Sequence, residues 1–199
     1  MTPATPRRLR IILWGLVALS LLLLLWFTAI APRLQREVSD NIGRGDYRLV
    51  TSDDAAFTEA TLREGPSAVF FGFVHCPDVC PTTLGDIAGW QEELGRDGAH
   101  LRVFFVTVDP ERDTPELLSD YVSWVPGVTG VSGSREEIDK ALAAFRIYAR
   151  KVPLASGDYT MDHSSYVLLF DGRGRFFEPI GYQEERERAL AKLRRLLGA

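Results

Sequence analysis

The chain has 199 residues, of which 46% are hydrophobic and 25% are charged. This composition is that of a globular protein, and the length allows one domain of ordinary size plus an appendage. Three arginines precede a long apolar run, and the rest of the chain carries 20 Lys and Arg against 27 Asp and Glu. This acidic balance, with no basic patch interleaved with aromatic residues, argues against nucleic-acid binding.

The apolar run covers residues 11–31 and contains no charged residue. A helix of about 20 apolar residues is long enough to cross the hydrocarbon core of a bilayer. A cleaved signal peptide is the alternative, because residues 29–31 (Ala-Ile-Ala) have the form of a cleavage site. The run is longer than a signal-peptide core, however, and Pro32 would directly follow the cut. We therefore expect an uncleaved transmembrane anchor.

The charges that flank the apolar run predict its orientation. Arg7, Arg8 and Arg10 precede the run, whereas Arg33 and Arg36 on the other side are mixed with acidic residues. This bias places the N-terminus in the cytoplasm. Only ten residues precede the run, which leaves no room for a mitochondrial transit peptide. We expect a single-pass protein of the bacterial inner membrane whose C-terminal domain lies in the periplasm, where disulfides persist.

The pattern of charge and hydrophobicity divides the chain into three segments. Residues 1–32 are expected to form a cytoplasmic stub and the transmembrane anchor. Residues 33–44 are charged and have no clear apolar period, which indicates a linker. Residues 45–199 are expected to form the folded domain, in which we find no internal repeat and no low-complexity tract.

Two strongly apolar segments dominate the folded domain: a continuous apolar run at residues 68–73, and residues 101–108 (Leu-Arg-Val-Phe-Phe-Val-Thr-Val). Such runs are typical of strands that are buried on both faces of a sheet. Further strands are predicted from shorter β-forming segments and from a turn at residues 171–174. The full set of expected strands is 48–51, a region around Phe57, 68–73, 101–108, 128–131, 147–152, 165–170 and 175–180.

Helices are predicted between these strands from their start signals. Thr114 reads as an N-cap, and residues 134–137 (Ser-Arg-Glu-Glu) read as a capping box. Asp109 and Asp113 are expected to shape the turn that leads to the Thr114 cap. The expected helices are 81–94, 114–125, 134–145 and 184–197. The predicted order of elements is strand-helix-strand-helix, followed by a hairpin and a final helix. This order is the layout of an α/β thioredoxin-like fold.

The chain has two cysteines, Cys76 and Cys80, in the loop between the first apolar strand and the next helix. Pro81 is typical of a first helical turn, so Cys80 is expected at or near the N-cap, where the helix dipole favours thiolate. A thiolate is both a nucleophile and a metal ligand, so the pair predicts either a redox-active dithiol or a soft-metal site. An inert buried pair is disfavoured, because Pro77 and Asp78 between the cysteines indicate a loop.

A metal site would need a third ligand, and the chain has three histidines. His75 adjoins Cys76, and neighbouring side chains of an extended segment point apart, while His100 is expected at the surface. His163 precedes a predicted strand, and a thioredoxin-like fold brings that connection to the cysteine loop. The nearby Met161 is expected to be core filler.

Two cysteines and one histidine suit copper. Thiolate selects Cu(I), and imidazole is compatible with both Cu(I) and Cu(II). Zinc is the competing metal, but structural zinc sites are usually closed by four ligands, and the chain has no third cysteine.

Three segments carry specific motifs: Phe-Gly-Phe-Val-His-Cys-Pro-Asp-Val-Cys-Pro-Thr-Thr-Leu over residues 71–84, Val-Asp-Pro-Glu-Arg-Asp-Thr-Pro over residues 108–115, and Asp-His-Ser over residues 162–164. Together they resemble the Sco/SenC family, the membrane-anchored copper proteins associated with cytochrome c oxidase assembly. The resemblance extends from about Gly45 to the C-terminus and includes the preceding anchor.

This resemblance implies that Cys76, Cys80 and His163 are copper ligands. It also implies a protein partner, the oxidase subunit that carries the dinuclear copper centre, and family members are proposed either to deliver copper to it or to reduce its cysteines. We therefore predict a copper metallochaperone that needs no substrate turnover. A periplasmic thiol-disulfide reductase is the alternative, and a copper or redox sensor is a third hypothesis that no residue supports directly.

Overall fold

The computed structural model describes residues 5–31 and 39–198. These residues form two compact units, which divide between Asp40 and Asn41. Residues 33–38 of the predicted linker lie outside the described residues. The three-segment division at residues 32 and 44 therefore stays a prediction.

Residues 5–31 of the first unit form one continuous helix. Helix α1 spans Thr5–Leu25 and continues as a π-helical turn over Trp26–Ile30, in which the Thr28 hydroxyl donates to the carbonyl oxygen of Leu24 at 2.7 Å. The segment Leu9–Ile30 is long and apolar enough to cross a membrane by its length and composition. A signal sequence near an N-terminus would meet the same criteria.

The second unit is built on a seven-stranded sheet, with a separate hairpin beside it. The order across the sheet is β2-β1-β5-β4-β3-β8-β9, and β6 pairs with β7 alone. The central pairs β3–β4 and β4–β5 are parallel, and the other pairs are antiparallel. The described strands of this unit are β1 (Leu49–Thr51), β2 (Ala56–Phe57), β3 (Ser67–Gly72), β4 (Arg102–Thr107), β5 (Val128–Ser132), β6 (Ala149–Pro153), β7 (Tyr159–His163), β8 (Val167–Phe170) and β9 (Phe176–Ile180).

The described part of the second unit has four α-helices, of which three connect strands and the fourth follows β9. The Thr114 side chain accepts from the backbone N–H of Leu117, as expected of an N-cap. The capping box predicted at Ser134 is only half formed, because the Glu137 carboxylate accepts instead from the backbone N–H of Arg48 at 2.6 Å. The helices are α2 (Val79–Leu94), α3 (Pro115–Val122), α4 (Arg135–Phe145) and α5 (Arg186–Leu197).

The central strands are covered on both faces, which explains their strongly apolar sequences. Phe71 of β3 contacts Phe145 of α4 with 5.1 Å between ring centroids. Phe70 contacts Phe105 of β4, which in turn contacts Tyr121 of α3. Because neighbouring residues of a strand point to opposite faces, α3 and α4 lie on opposite sides of the sheet.

The β6–β7 hairpin differs from the sequence prediction. A strand was expected at residues 147–152, and β6 occupies most of that range, but β7 was not expected at all. Residues 159–163 (Tyr-Thr-Met-Asp-His) lack a clear alternation of apolar and polar residues, and they are extended because they pair with β6 from Ala149↔His163 to Pro153↔Tyr159. His163 is therefore the last residue of a strand rather than a loop residue.

Candidate metal centre

The cysteine loop leaves the central strand β3 and enters helix α2. Its backbone is fixed at both ends: the N–H of Cys76 donates to the carbonyl oxygen of Phe73 at 3.2 Å, and the N–H of Thr82 donates to that of Asp78 at 3.1 Å. Helix α2 begins at Val79, so Asp78 is the N-cap residue. The predicted position of Cys80 near the cap is confirmed, since Cys80 is the second residue of the first turn.

Because of this placement, the start of helix α2 favours the thiolate of Cys76 rather than that of Cys80. The backbone N–H of Cys80 donates to the sulfur of Cys76 at 3.3 Å, so the unpaired donors of the first turn face Cys76. The hydrogen bond from the Cys80 side chain, against the opposing effect of burial, lowers the pKa of Cys76 to about 4, and His163 contributes further. The same pairing with Cys76, together with burial, raises the pKa of Cys80. Cys76 is thus the thiolate of the metal-free pair.

Close packing behind the loop holds Cys80 against the sheet. Cys80 is fully buried, and a Cβ on Gly72 would lie 2.8 Å from its sulfur. The same Cβ would lie 2.7 Å from the ring of Phe105. Real Cβ atoms do not approach neighbours so closely, so the last residue of β3 must be glycine for the Cys80 sulfur to occupy this position.

The β6–β7 hairpin brings His163 to the two sulfurs. Its Nε2 lies 3.8 Å from the Cys80 sulfur, and its ring meets Phe73 edge to face at 5.8 Å between centroids. Nδ1 lies 3.0 Å from the carbonyl oxygen of Ser164. Because a carbonyl only accepts, Nδ1 is the donor to Ser164, and Nε2 is the ring nitrogen that faces the sulfurs.

Cys76, Cys80 and His163 together form a three-donor cluster. Their ligand atoms all lie within 4.8 Å of one another, with Cys80 buried and the other two half-buried. The cluster borders a surface depression of about 210 Å³ between the cysteine loop and the hairpin. Such an arrangement can hold a soft metal ion within reach of a second protein, or can form a disulfide between the two sulfurs.

The other residues considered as ligands lie apart from this cluster. His75 is half exposed, and its Nδ1 lies 4.0 Å from the Asp113 carboxylate. His100 is exposed in a short 3-10 turn, as expected. Met161 is buried in the core, as predicted, and its backbone and side chain help to line the depression.

Two carboxylates that sequence reasoning assigned to a turn are buried under the site. Asp113 accepts from the backbone N–H of Val74 at 3.1 Å and from the Thr107 hydroxyl at 2.6 Å, and thus ties the cysteine loop to β4. Asp109 is also fully buried. Desolvation raises the pKa of Asp113. The position of Asp109 directly after a strongly apolar segment was the signal that could have indicated burial.

Comparison with known proteins places this geometry in a family. A sequence profile described as SCO1/SenC matches residues 35–198. The structure of Bradyrhizobium japonicum ScoI with copper bound is 41% identical, with a TM-score of 0.71 over 78% of this chain and 99% of that one. Yeast Sco1 with copper bound is 30% identical, with a TM-score of 0.72 over 80% of this chain and 90% of that one.

A curated relative extends the comparison to full-length sequences. The mitochondrial protein SCO2 of Saccharomyces cerevisiae is 32% identical over 160 residues, which cover 78% of this chain and 53% of that protein. The chain therefore spans about half the length of this relative. The predicted α/β thioredoxin-like fold is confirmed by the solved Sco structures, which match over nearly their whole length. Because the profile covers most of the sequence, the chain belongs to the SCO1/SenC family.

Proposed function

We propose that this protein is a membrane-anchored copper metallochaperone that supports assembly of the copper centre of cytochrome c oxidase. The observation that carries the proposal is the three-donor cluster of Cys76, Cys80 and His163, whose ligand atoms lie within 4.8 Å of one another at the edge of an open depression. Copper is the cargo of this site, and the three side chains are its ligands.

The donor set fits copper. Two thiolates and one imidazole match the preference of Cu(I) for sulfur and the tolerance of both copper oxidation states for nitrogen. A closed structural zinc site would require a fourth ligand, and the cluster in the described part of the chain supplies three. The solved neighbours from Bradyrhizobium japonicum and yeast, each with copper bound, support the same choice.

The unequal exposure of the ligands suits delivery rather than storage. Cys80 is buried, whereas Cys76 and His163 are half-buried and border the depression. An acceptor protein can therefore approach the exposed side and replace these two ligands one at a time with its own. The acceptor that we propose is the oxidase subunit that carries the dinuclear copper centre.

Helix α1 is the proposed anchor, which holds the protein in the bacterial inner membrane with the folded unit in the periplasm. The support for this location is the apolar length of Leu9–Ile30 and the arginines that precede it. A periplasmic location also allows the metal-free cysteine pair to form a disulfide.

Anaerobic titration of the full chain in detergent with Cu(I) tests the proposal. We expect one copper per reduced chain, and we expect His163→Ala to weaken binding by more than about tenfold, or about 1.4 kcal/mol. His100→Ala is the matched control, since His100 is exposed and lies outside the cluster, and it should bind as the wild type does. A wild type that takes up no stoichiometric copper would show the proposal to be wrong.

A thiol-disulfide reductase is the second candidate, and the unequal pKa values of the two cysteines favour it. The Cys76 thiolate would attack a disulfide of the partner, form a mixed disulfide and release one partner thiolate. Cys80 would then lose its proton and attack the Cys76 sulfur. This step closes the Cys76–Cys80 disulfide and releases the second partner thiolate, so the partner gains two electrons and an external dithiol must reduce the pair again.

The variant His163→Ala distinguishes the two candidate functions. A reductase should keep its rate towards a small disulfide substrate when His163 is replaced by alanine, because its chemistry uses the two sulfurs. A copper carrier should lose affinity in the same variant. Cys76→Ser should abolish both properties.

A further inference from the structure

The hairpin that carries His163 is attached to the rest of the unit by side chains. Strands β6 and β7 pair with each other and with no other described strand. The position of the hairpin therefore depends on contacts other than a sheet ladder. One group of such contacts joins Asp109 and Arg112, which follow β4, to Tyr159 at the start of β7. We call these three residues the hairpin clamp.

Each member of the hairpin clamp contacts the other two. The guanidinium of Arg112 lies over the ring of Tyr159, 3.8 Å from its centroid, and Nη1 donates to the carbonyl oxygen of Tyr159 at 3.1 Å. Nε of Arg112 donates to one oxygen of Asp109 at 2.5 Å, and the Tyr159 hydroxyl donates to the other at 2.8 Å. The two carboxylate oxygens thus hold the loop after β4 and the hairpin together.

The hairpin clamp has a buried carboxylate at its centre and two half-buried partners, which distinguishes it from an exposed ion pair. The Asp109 side chain is 0% exposed and the Arg112 side chain 19%. A buried ion pair adds little net stability compared with apolar residues of the same size, but it demands a specific geometry from its partners. Burial and the hydrogen bond to Asp109 raise the pKa of Tyr159 to about 12, so the hydroxyl remains a donor at physiological pH.

The geometry of β7 connects the hairpin clamp to the metal centre. Tyr159 and His163 are the first and last residues of this strand, which is a stiff element about 13 Å long between them. Two hydrogen bonds between Tyr148 and Ser164 join the chain segments that flank the hairpin at its His163 end, so the hairpin moves as one piece. Release of the hairpin clamp would therefore let the hairpin shift and change the distance between His163 and the sulfur of Cys80.

The hairpin also forms one wall of the depression beside the metal centre. Residues 160–163 line it on one side, and the cysteine loop lines it on the other. We infer that the hairpin clamp is a positioning device for the third ligand, which fixes the approach of His163 to the two sulfurs and thereby sets how tightly copper is held. This inference rests on the proposed function. Asp109, Arg112 and Tyr159 are positioning residues and not ligands.

Copper affinity in two backgrounds tests the inference. Arg112→Lys and Tyr159→Phe are made in the full chain, each with and without His163→Ala, and Cu(I) affinity is measured in detergent against a chromogenic Cu(I) chelator. We expect each change to weaken binding about tenfold when His163 is present. In the His163→Ala background the change should be less than about twofold, because the hairpin clamp acts through His163. Equal weakening in both backgrounds would overturn the inference.

Matched controls come from the same residue types elsewhere. Arg175→Lys alters an arginine that is paired with Asp171 in the turn between β8 and β9, and Tyr182→Phe removes a hydroxyl that accepts only from Gln183. Both controls should leave copper affinity unchanged in either background. A control that weakens binding as much as Arg112→Lys would contradict a specific role for the hairpin clamp.

Hydrogen exchange of the metal-free protein tests the hairpin clamp without copper. In Tyr159→Phe and Arg112→Lys, amides of β6 and β7 should exchange faster than in the wild type, while amides of β3 and β4 should not change. Hairpin exchange that matches the wild type in both variants would overturn the inference. A wild type that binds no copper would instead overturn the proposed function, so the two failures are distinguishable.

Discussion

The cysteine loop and the β6–β7 hairpin bring ligands to the same cluster by different means. The loop continues directly from the central strand β3 and ends in the first turn of α2, so its two sulfurs are fixed by the sheet and by the helix start. The hairpin pairs with no strand of that sheet, and it positions His163 through contacts with Asp109, Arg112 and Phe73.

This difference has a consequence for how a metal would leave. A ligand on the central sheet can move only when the core opens, whereas a ligand on a separately attached hairpin can move when a few polar contacts break. The two sulfurs therefore form the fixed part of the site, and His163 is its adjustable part.

The largest expected effect concerns the acidity of Cys76. Because its pKa is lowered from 9.0 to about 4, the thiolate persists at all pH values above that point. The rate of alkylation by iodoacetamide in the reduced, metal-free chain should stay level from pH 8 to near 5 and then fall, with a midpoint near 4.

Two variants assign this acidity to the loop or to the hairpin. The hydrogen bond from Cys80 is its largest cause and His163 a smaller one, so Cys80→Ala should move the alkylation midpoint upward further than His163→Ala does. A larger upward movement in His163→Ala would mean that the hairpin, and not the loop, sets the charge of the site.

Hydrogen exchange of the wild type should separate the two regions next. Amides of β3 and β4 lie between covered faces and should exchange only by global unfolding. Amides of β6 and β7 should exchange by local opening, faster by on the order of a thousandfold. Equal protection of the two regions, measured by mass spectrometry on metal-free protein, would break the distinction between a fixed and an adjustable part.

The contribution of Asp113 to the cysteine loop should be measurable as stability. Asp113→Ala would leave the Val74 N–H and the Thr107 hydroxyl buried without an acceptor, which should lower the free energy of unfolding by about 3 kcal/mol. Asp113→Asn keeps an oxygen in the same place and should lower it by much less. Urea denaturation of both variants checks this, and equal losses would contradict the assigned hydrogen bonds.

The same pair of proteins gives a pH test. Burial raises the pKa of Asp113 above its ordinary value of 3.8, so the folded state prefers the protonated carboxyl. The stability that the protonated Asp113 carboxyl contributes is complete below pH 3.8 and is lost as the pH rises through the raised pKa of the folded state. The wild type should therefore become less stable relative to Asp113→Asn between pH 4 and pH 7. A constant difference over that range would show that the carboxyl is not perturbed.

The central strands, the starts of α3 and α4 and the cysteine pair could be predicted from sequence, because each has a local pattern. Strongly apolar segments mark β3 and β4, and Thr114 marks the start of α3. His163 was placed near the cysteines through the predicted fold, not through its own neighbours. Its strand β7 escaped prediction, because pairing with β6 and burial of Met161, rather than alternation, make it extended.

The burial of Asp109 and Asp113 also escaped prediction. Acidic residues are rarely buried unless they are paired, and two of the partners here lie far away in the chain, Val74 for Asp113 and Tyr159 for Asp109. The predicted ionisation of the two cysteines depended on the residue at which α2 begins. A helix that begins at Val79 rather than at Pro81 turns the N–H of Cys80 towards Cys76 and reverses the expected location of the thiolate.

Two glycines give the smallest predicted effect and test why the loop is fixed. In Gly72→Ala the new Cβ would lie 2.8 Å from the Cys80 sulfur, so we expect overpacking to lower the free energy of unfolding by about 2 kcal/mol. Gly85→Ala is the matched control within α2, where a Cβ meets nothing within 4 Å, and it should raise stability by about 0.5–1 kcal/mol. Urea denaturation gives both values. If Gly72→Ala were as stable as Gly85→Ala, the sheet could adjust to an added methyl group behind Cys80. Close packing would then not hold the two sulfurs more firmly than the hairpin holds His163.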